Sequence, residues 1–250
     1  MMSLLLIFVA GFAAGVINAL AGGGSFVTFP ALLAAGLPAI SANVTNTIAL
    51  VPAQFSTAYA YRDALRKSLD DPRIEGKKLA IISLIFGLLG AILLLATPEQ
   101  IFERSVPFLL LGATLVFALG MVMPKQMDHQ MIGPKTVLVF QALVSIYGGF
   151  FGGGVGILML AALTLYGLRD IVLMNGLKIT LAALMNVTAT LLFLFSGKVH
   201  WLEALVLSVG SIAGGFAGAH AGSRIKPAYV KFFVIFIGLA LSYHYFRKYF

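Results

Sequence analysis

The stretch "GVINALAGGGSFVTFP", residues 15–30, lies within the first 61 residues, none of which is Asp, Glu, Lys, Arg or His. Such a run is apolar enough for a membrane helix, yet three consecutive glycines are poor helix formers. A second triplet stands in "YGGFFGGGVGILML", residues 147–160, displaced by 130 positions. The reading of these two breaks decides the fold.

Only 10% of the 250 residues are charged and 60% are apolar. Soluble domains carry roughly 25% charged residues, so this composition cannot build a water-facing surface. The chain reads as an all-α integral membrane protein whose first partner is the lipid bilayer. There is no cysteine, which excludes disulfides, thiolate chemistry and Cys-based metal sites. The N-terminal "MMSLLLIFVAGFAAG" lacks the basic flank of a cleaved signal and reads as a retained first helix. The net charge of +8 falls mainly in short loops, as the positive-inside rule requires. No basic surface interleaved with aromatics is visible, which argues against nucleic acid.

Ten helical segments are expected, at about 3–20, 25–36, 41–61, 79–97, 104–123, 135–151, 155–166, 173–195, 201–222 and 229–246. Eight to ten of them would be membrane helices. The second and seventh hold about a dozen residues, too few for a hydrocarbon core that needs about 20. Each follows a triple glycine, so each is half of a broken or re-entrant element.

The halves repeat. Gly22, Gly23 and Gly24 match Gly152, Gly153 and Gly154; Asn43 and Asn46 match Asn175 and Lys178; "SLIFGLLGA" (83–91) matches "SIAGGFAGA" (211–219). The expected organisation is repeat 1 over 1–123, a cytoplasmic linker over 124–134 and repeat 2 over 135–250, in one transmembrane domain. Loop 62–78 holds six of the 17 basic residues and should be cytoplasmic. Five segments per unit invert the second unit. The charge split is then twelve basic residues inside against four outside, where a parallel second half would give eleven to five. The odd segment count carries more of the case than the charges.

A helix broken in the membrane leaves backbone groups that lipid cannot satisfy, so the break must face protein or a water-filled cavity. The restarting segment offers N–H groups and the positive end of its dipole, and glycine lets an anion approach that backbone. The competing reading is close helix packing by small residues. Packing is preferred for "GLLG" and "GGFAG", and an anion site for the two triplets. On the following helices, Asn43, Asn46 and Gln54 share one face, and Asn175, Lys178 and Asn186 repeat it. Amides can donate to an oxyanion without fixing charge. An intramembrane lysine costs about 2.5 kcal/mol or more; Lys178 either faces the site or snorkels to the cytoplasmic surface. Asn18 either orients the first glycine loop or packs. Pro52 should free the Ile48 carbonyl and kink its helix. No Asp or Glu lies deep in an expected helix. Walker loops, His pairs at metal spacing and nucleophile elbows are missing, so no enzyme, metal or cofactor is expected.

The stretches "AGVINALAGGGSFVTFPALLAAGLPAISANVTNTIALVPAQ", "GGFFGGGVGILML" and "MNGLKITLAALMNVTATLLF" resemble the sulfite exporter TauE/SafE family over nearly the whole chain. The resemblance implies a bacterial inner-membrane transporter for sulfite or a small organosulfur anion such as sulfoacetate. Related sequences often carry an acidic residue where Asn18 stands. The resulting expectation is a secondary transporter or facilitator, an exporter by alternating access, that binds its anion at Asn18, Gly22–Gly24, Asn43, Asn46, Gln54, Gly152–Gly154, Asn175, Lys178 and Asn186. The alternatives are an uptake permease or channel for thiosulfate or another anion, and a membrane enzyme or structural subunit. Assembly as a homo-oligomer stays open.

Overall fold

The computed structural model describes residues 2–20, 23–63, 66, 74–122, 132–168, 170–221 and 227–250. Gly22, most of linker 124–134 and the basic residues Lys67, Arg73, Lys125, Arg169, Arg224 and Lys226 lie outside them.

The described residues form helices and no strands. The ten helices are α1 (Met2–Leu20), α2 (Ser25–Ala34), α3 (Ala39–Ala60), α4 (Gly76–Ala96), α5 (Glu99–Val122), α6 (Pro134–Phe150), α7 (Val155–Leu165), α8 (Ile171–Leu194), α9 (Trp201–Ala221) and α10 (Pro227–Tyr249). Their ends follow local chemistry. Glycines with positive φ stand at 23, 36, 152, 154, 167 and 197, bounding α1, α2, α6, α7 and α8. Asp170 caps α8, its carboxylate accepting from the N–H groups of Val172 and Leu173, a preferred use of Asp. Helix α5 begins five residues before its expected start, with Glu99 in the first turn, where a carboxylate suits the dipole. Helix α3 continues through Pro52. The Ser208 hydroxyl donates to the neighbouring Ala49 carbonyl at 2.9 Å, beside the ladder bond that the proline removes.

Among the described residues, Gly76–Ala96, Val172–Leu194 and Trp201–Gly218 are long and apolar enough to cross a membrane. Their outer faces carry exposed Ile81, Ile85, Leu191, Leu205 and Val209. In water that pattern would be an aggregation surface; against lipid it costs nothing.

Two close helix pairs organise the packing: α1 with α9, and α4 with α6. Gly210 abuts the Phe8 carbonyl and Gly214 that of Phe12, so both registers rise together and the pair is parallel. In the second pair Gly90 abuts the Ile146 carbonyl and Gly149 that of Gly87. The Gln141 amide donates to the Ser83 hydroxyl at 2.8 Å. A Cβ at these glycines would enter neighbouring backbone, so "GLLG" serves packing, as does Gly214 of "GGFAG". Gly215 has open space beside it. Exchanging α1 with α6 and α4 with α9 turns one pair into the other. The contacts of α3 with α8 and of α5 with α10 map onto themselves.

The helix ends sort into two groups. At one end the Ile40 N–H donates to Glu99 Oε1 (2.9 Å) and the His200 N–H to Thr45 Oγ1 (3.1 Å). These bonds join the starts of α3, α5 and α9. At the other end Ile74, Leu163, Met174 and Leu177 form one buried cluster, joining the start of α4, the end of α7 and the start of α8.

Candidate functional site: two glycine breaks

The first break separates α1 from α2. Gly23 has φ 99°, a conformation that glycine adopts without steric cost. The Gly24 N–H donates to Asn18 Oδ1 at 2.8 Å, so Asn18, exposed on one side, orients this loop. Gly23 and Gly24 carbonyls accept the N–H groups of Phe26, Val27 and Thr28. The buried Thr28 hydroxyl donates to Asn46 Oδ1, tying α2 to α3.

The second break separates α6 from α7 and is built differently. Gly152 (φ 81°) and Gly154 (φ 76°) are both left-handed. The Gly152 N–H folds back to the Tyr147 carbonyl, and the Tyr147 hydroxyl donates to the Gly153 carbonyl at 2.8 Å. A Cβ on Gly153 would stand 2.8 Å from the Phe151 ring. Gly154 caps α7 without any side-chain bond. The N–H groups of Gly154, Val155 and Gly156 meet no acceptor among the described residues.

The structure brings the breaks together. The Phe29 ring of α2 meets Phe151 edge-on, centroids 5.4 Å apart. Asn43 of α3 donates through Nδ2 to the Phe150 carbonyl, the last of α6, at 2.8 Å. Its Oδ1 is buried without a partner among the described residues, an arrangement that costs about 1–3 kcal/mol. Gln54 and Asn186 meet each other, Nδ2 donating to Oε1 at 3.0 Å. Lys178 is half-buried. Its stem passes Gly156 at the first turn of α7, 3.2 Å from where a Cβ would stand. Its ammonium turns back to Asn175 Oδ1 at 3.0 Å, toward the start of α8. A small cavity lies away from the breaks, lined by Ile74, Glu75, Leu79, Pro134, Val137 and Tyr166.

Sequence reasoning missed three participants. Thr28 follows Gly24 by one helical turn and Tyr147 precedes Gly153 by six residues, so both were within local reach. Glu99, which satisfies the Ile40 N–H, is 59 residues distant and gave no local signal.

A lipid-facing helical shell around two interrupted helices defines a class, the multi-helix membrane transporter. Residues 7–245 match the family described as "Sulfite exporter TauE/SafE", and the chain belongs to that family. It is similar to the "Probable membrane transporter protein ORF9" of Sinorhizobium sp, 32% identical over 94% of this chain and 89% of that protein. A "Probable membrane transporter protein" of Haemophilus influenzae is 34% identical over 86% of this chain and 84% of its own length. The "Probable membrane transporter protein YfcA" of Escherichia coli K12 is 32% identical over 88% and 79%. No solved structure matches. The chain is a membrane transporter and not an enzyme.

Proposed function

We propose that the protein moves a small sulfur oxyanion, sulfite or an organosulfonate such as sulfoacetate, across the bacterial inner membrane. It does so as a multi-pass secondary transporter or facilitator. The observation that carries the anion reading is the start of α7. Three N–H groups there have no acceptor among the described residues, at the positive end of a helix dipole, with the Lys178 stem across the same turn. The first break is less open, because Asn18 already accepts the Gly24 N–H. The anion therefore binds at Gly152–Gly154, Asn175 and Lys178, and the first break, with Asn43, Asn46, Gln54 and Asn186, forms the supporting wall.

Transport proceeds by alternating access between inverted repeats. What supports inversion is the sorting of helix ends. Helix α3 starts where α4 finishes, whereas its counterpart α8 starts where α4 begins. The end bearing Lys77, Lys78 and Lys135 is cytoplasmic by the positive-inside rule. Export is the favoured direction, since moving one negative charge out of a negative interior gains about 2.3 kcal/mol per 100 mV.

The test is flux. Purified protein in liposomes is given a panel of sulfite, sulfoacetate, thiosulfate and sulfate under an imposed potential. Potential-driven movement of an unaltered sulfur anion is the expected result. Protein-independent leakage of all four would remove the assignment.

A further inference from the structure

The two halves hold their equivalent amides in different bonds. Asn43 and Asn175 are equivalent positions, as are Phe150 and Leu20, the last residues of α6 and α1. Asn43 reaches across from the first half and donates to the Phe150 carbonyl. Asn175 does not reciprocate: its Oδ1 accepts from Lys178, and it has no further side-chain bond among the described residues. So Asn43 has its donor engaged and its Oδ1 orphaned, while Asn175 has its acceptor engaged and its donor unused. Gln54 and Asn186 are equivalent to each other, by the same offset of 132, and they bond directly.

We propose that the Asn43–Phe150 bond is a latch of one access state, replaced in the opposite state by a bond from Asn175 Nδ2 to the Leu20 carbonyl. Gln54–Asn186 is the pivot kept in both. The inference rests on the inverted-repeat transporter reading above. In such a fold the two states arise when the halves trade conformations. A bond from one half to the other then maps onto its counterpart, while a bond between equivalent residues maps onto the same pair with donor and acceptor exchanged. An asymmetric bond must therefore be exchanged, and a self-equivalent one is not. Breaking the latch costs an interior hydrogen bond, and the counterpart bond restores one, so the two states stay close in energy. That balance is what a transporter needs.

The chain contains no cysteine, so introduced thiols report without background. The reporter is Leu20→Cys/Ile179→Cys, Ile179 lying one turn beyond Asn175 on the same helix face so that Asn175 is kept, in native membranes treated with a short bifunctional thiol reagent. A measurable cross-linked fraction is expected. A third change, Asn43→Ala, should raise that fraction at least threefold, and Asn43→Ser should do the same if the alanine variant fails to accumulate. Gln54→Leu should leave the ratio of states unchanged within twofold while slowing their exchange. No cross-link under any condition, or no response to either Asn43 change, overturns the latch. A cross-linked fraction raised equally by Asn43→Ala and by Gln54→Leu overturns the distinction between latch and pivot. Cross-linking is read without any solute. A working latch in a protein that moves no anion would therefore refute the substrate reading alone, and sulfite flux without cross-linking would refute the latch alone.

Discussion

The two glycine triplets look interchangeable in sequence and differ in what they leave unsatisfied. At the first break a neighbouring side chain, Asn18, takes up the Gly24 N–H, and one glycine, Gly23, is left-handed among those described. At the second break two glycines are left-handed, Tyr147 fixes a carbonyl rather than an N–H, and the donors at the start of α7 stay open. The same motif thus keeps fewer N–H groups without an acceptor, among the described residues, in the first half than in the second. Asn18, six residues before Gly24, takes up the one that makes the difference.

Several variants test how far that difference reaches. The largest effect is expected from Gly153→Leu, whose side chain would enter the Phe151 ring and cover the α7 start. Flux in liposomes should fall to background while the protein still elutes as a single folded species. Gly23→Leu should instead act through folding, since a φ of 99° strains any L side chain by about 1–2 kcal/mol. If both leucines abolish binding while leaving thermal stability alike, the breaks are equivalent after all.

Lys178→Met comes next. A charge-assisted hydrogen bond is worth about 1.5–3 kcal/mol, so anion affinity should weaken by roughly 10- to 100-fold, with Lys178→Arg keeping part of it. Equilibrium binding of radiolabelled sulfite to the purified protein separates the two. Unchanged affinity in the methionine variant would make the lysine a cytoplasmic anchor.

A smaller change follows from Asn18→Ala. It removes the acceptor of the Gly24 N–H and should cost about 1 kcal/mol of stability, seen as a lowered midpoint of thermal unfolding in detergent. Because it opens the first break, anion affinity should hold or rise slightly. A large loss would place Asn18 in the binding site itself.

Tyr147→Phe should be the mildest. It deletes one hydrogen bond to the Gly153 carbonyl, worth about 0.5–1.5 kcal/mol, and should lower the maximal flux less than it lowers the unfolding midpoint.

Much of the fold was legible because its signals are local. Glycine triplets end helices wherever they fall, and the starts of α2, α7 and α9 agree with their expected first residues, Ser25, Val155 and Trp201. Amides spaced three or four apart were bound to share a face. What spacing does not reveal is which partner each amide takes. Asn43 meets a carbonyl 107 residues away and Asn186 meets Gln54 132 residues away. Those choices depend on how α3, α6 and α8 cross, which is a property of the assembled bundle. Asn46 Oδ1 accepts from Thr28, and Asn43 commits one of its two amide N–H groups to the Phe150 carbonyl. Glycine patterns posed the opposite difficulty. "GLLG" and "GGFAG" align in sequence, yet the close contact on α9 uses Gly210 and Gly214 rather than Gly215.

The pairing of α1 with α9 has a consequence for how the protein is made. The glycine seam that receives Phe8 and Phe12, Gly210 and Gly214, leaves the ribosome 202 residues after its partner. At bacterial synthesis rates of about 5–20 residues per second, α1 waits in the bilayer for roughly ten to forty seconds with that face covered only by lipid. The α4–α6 pair closes within the span of a few helices and supplies an early nucleus. Helix α1 is therefore among the last to find its partner, and the packing of this chain is completed from the middle outward.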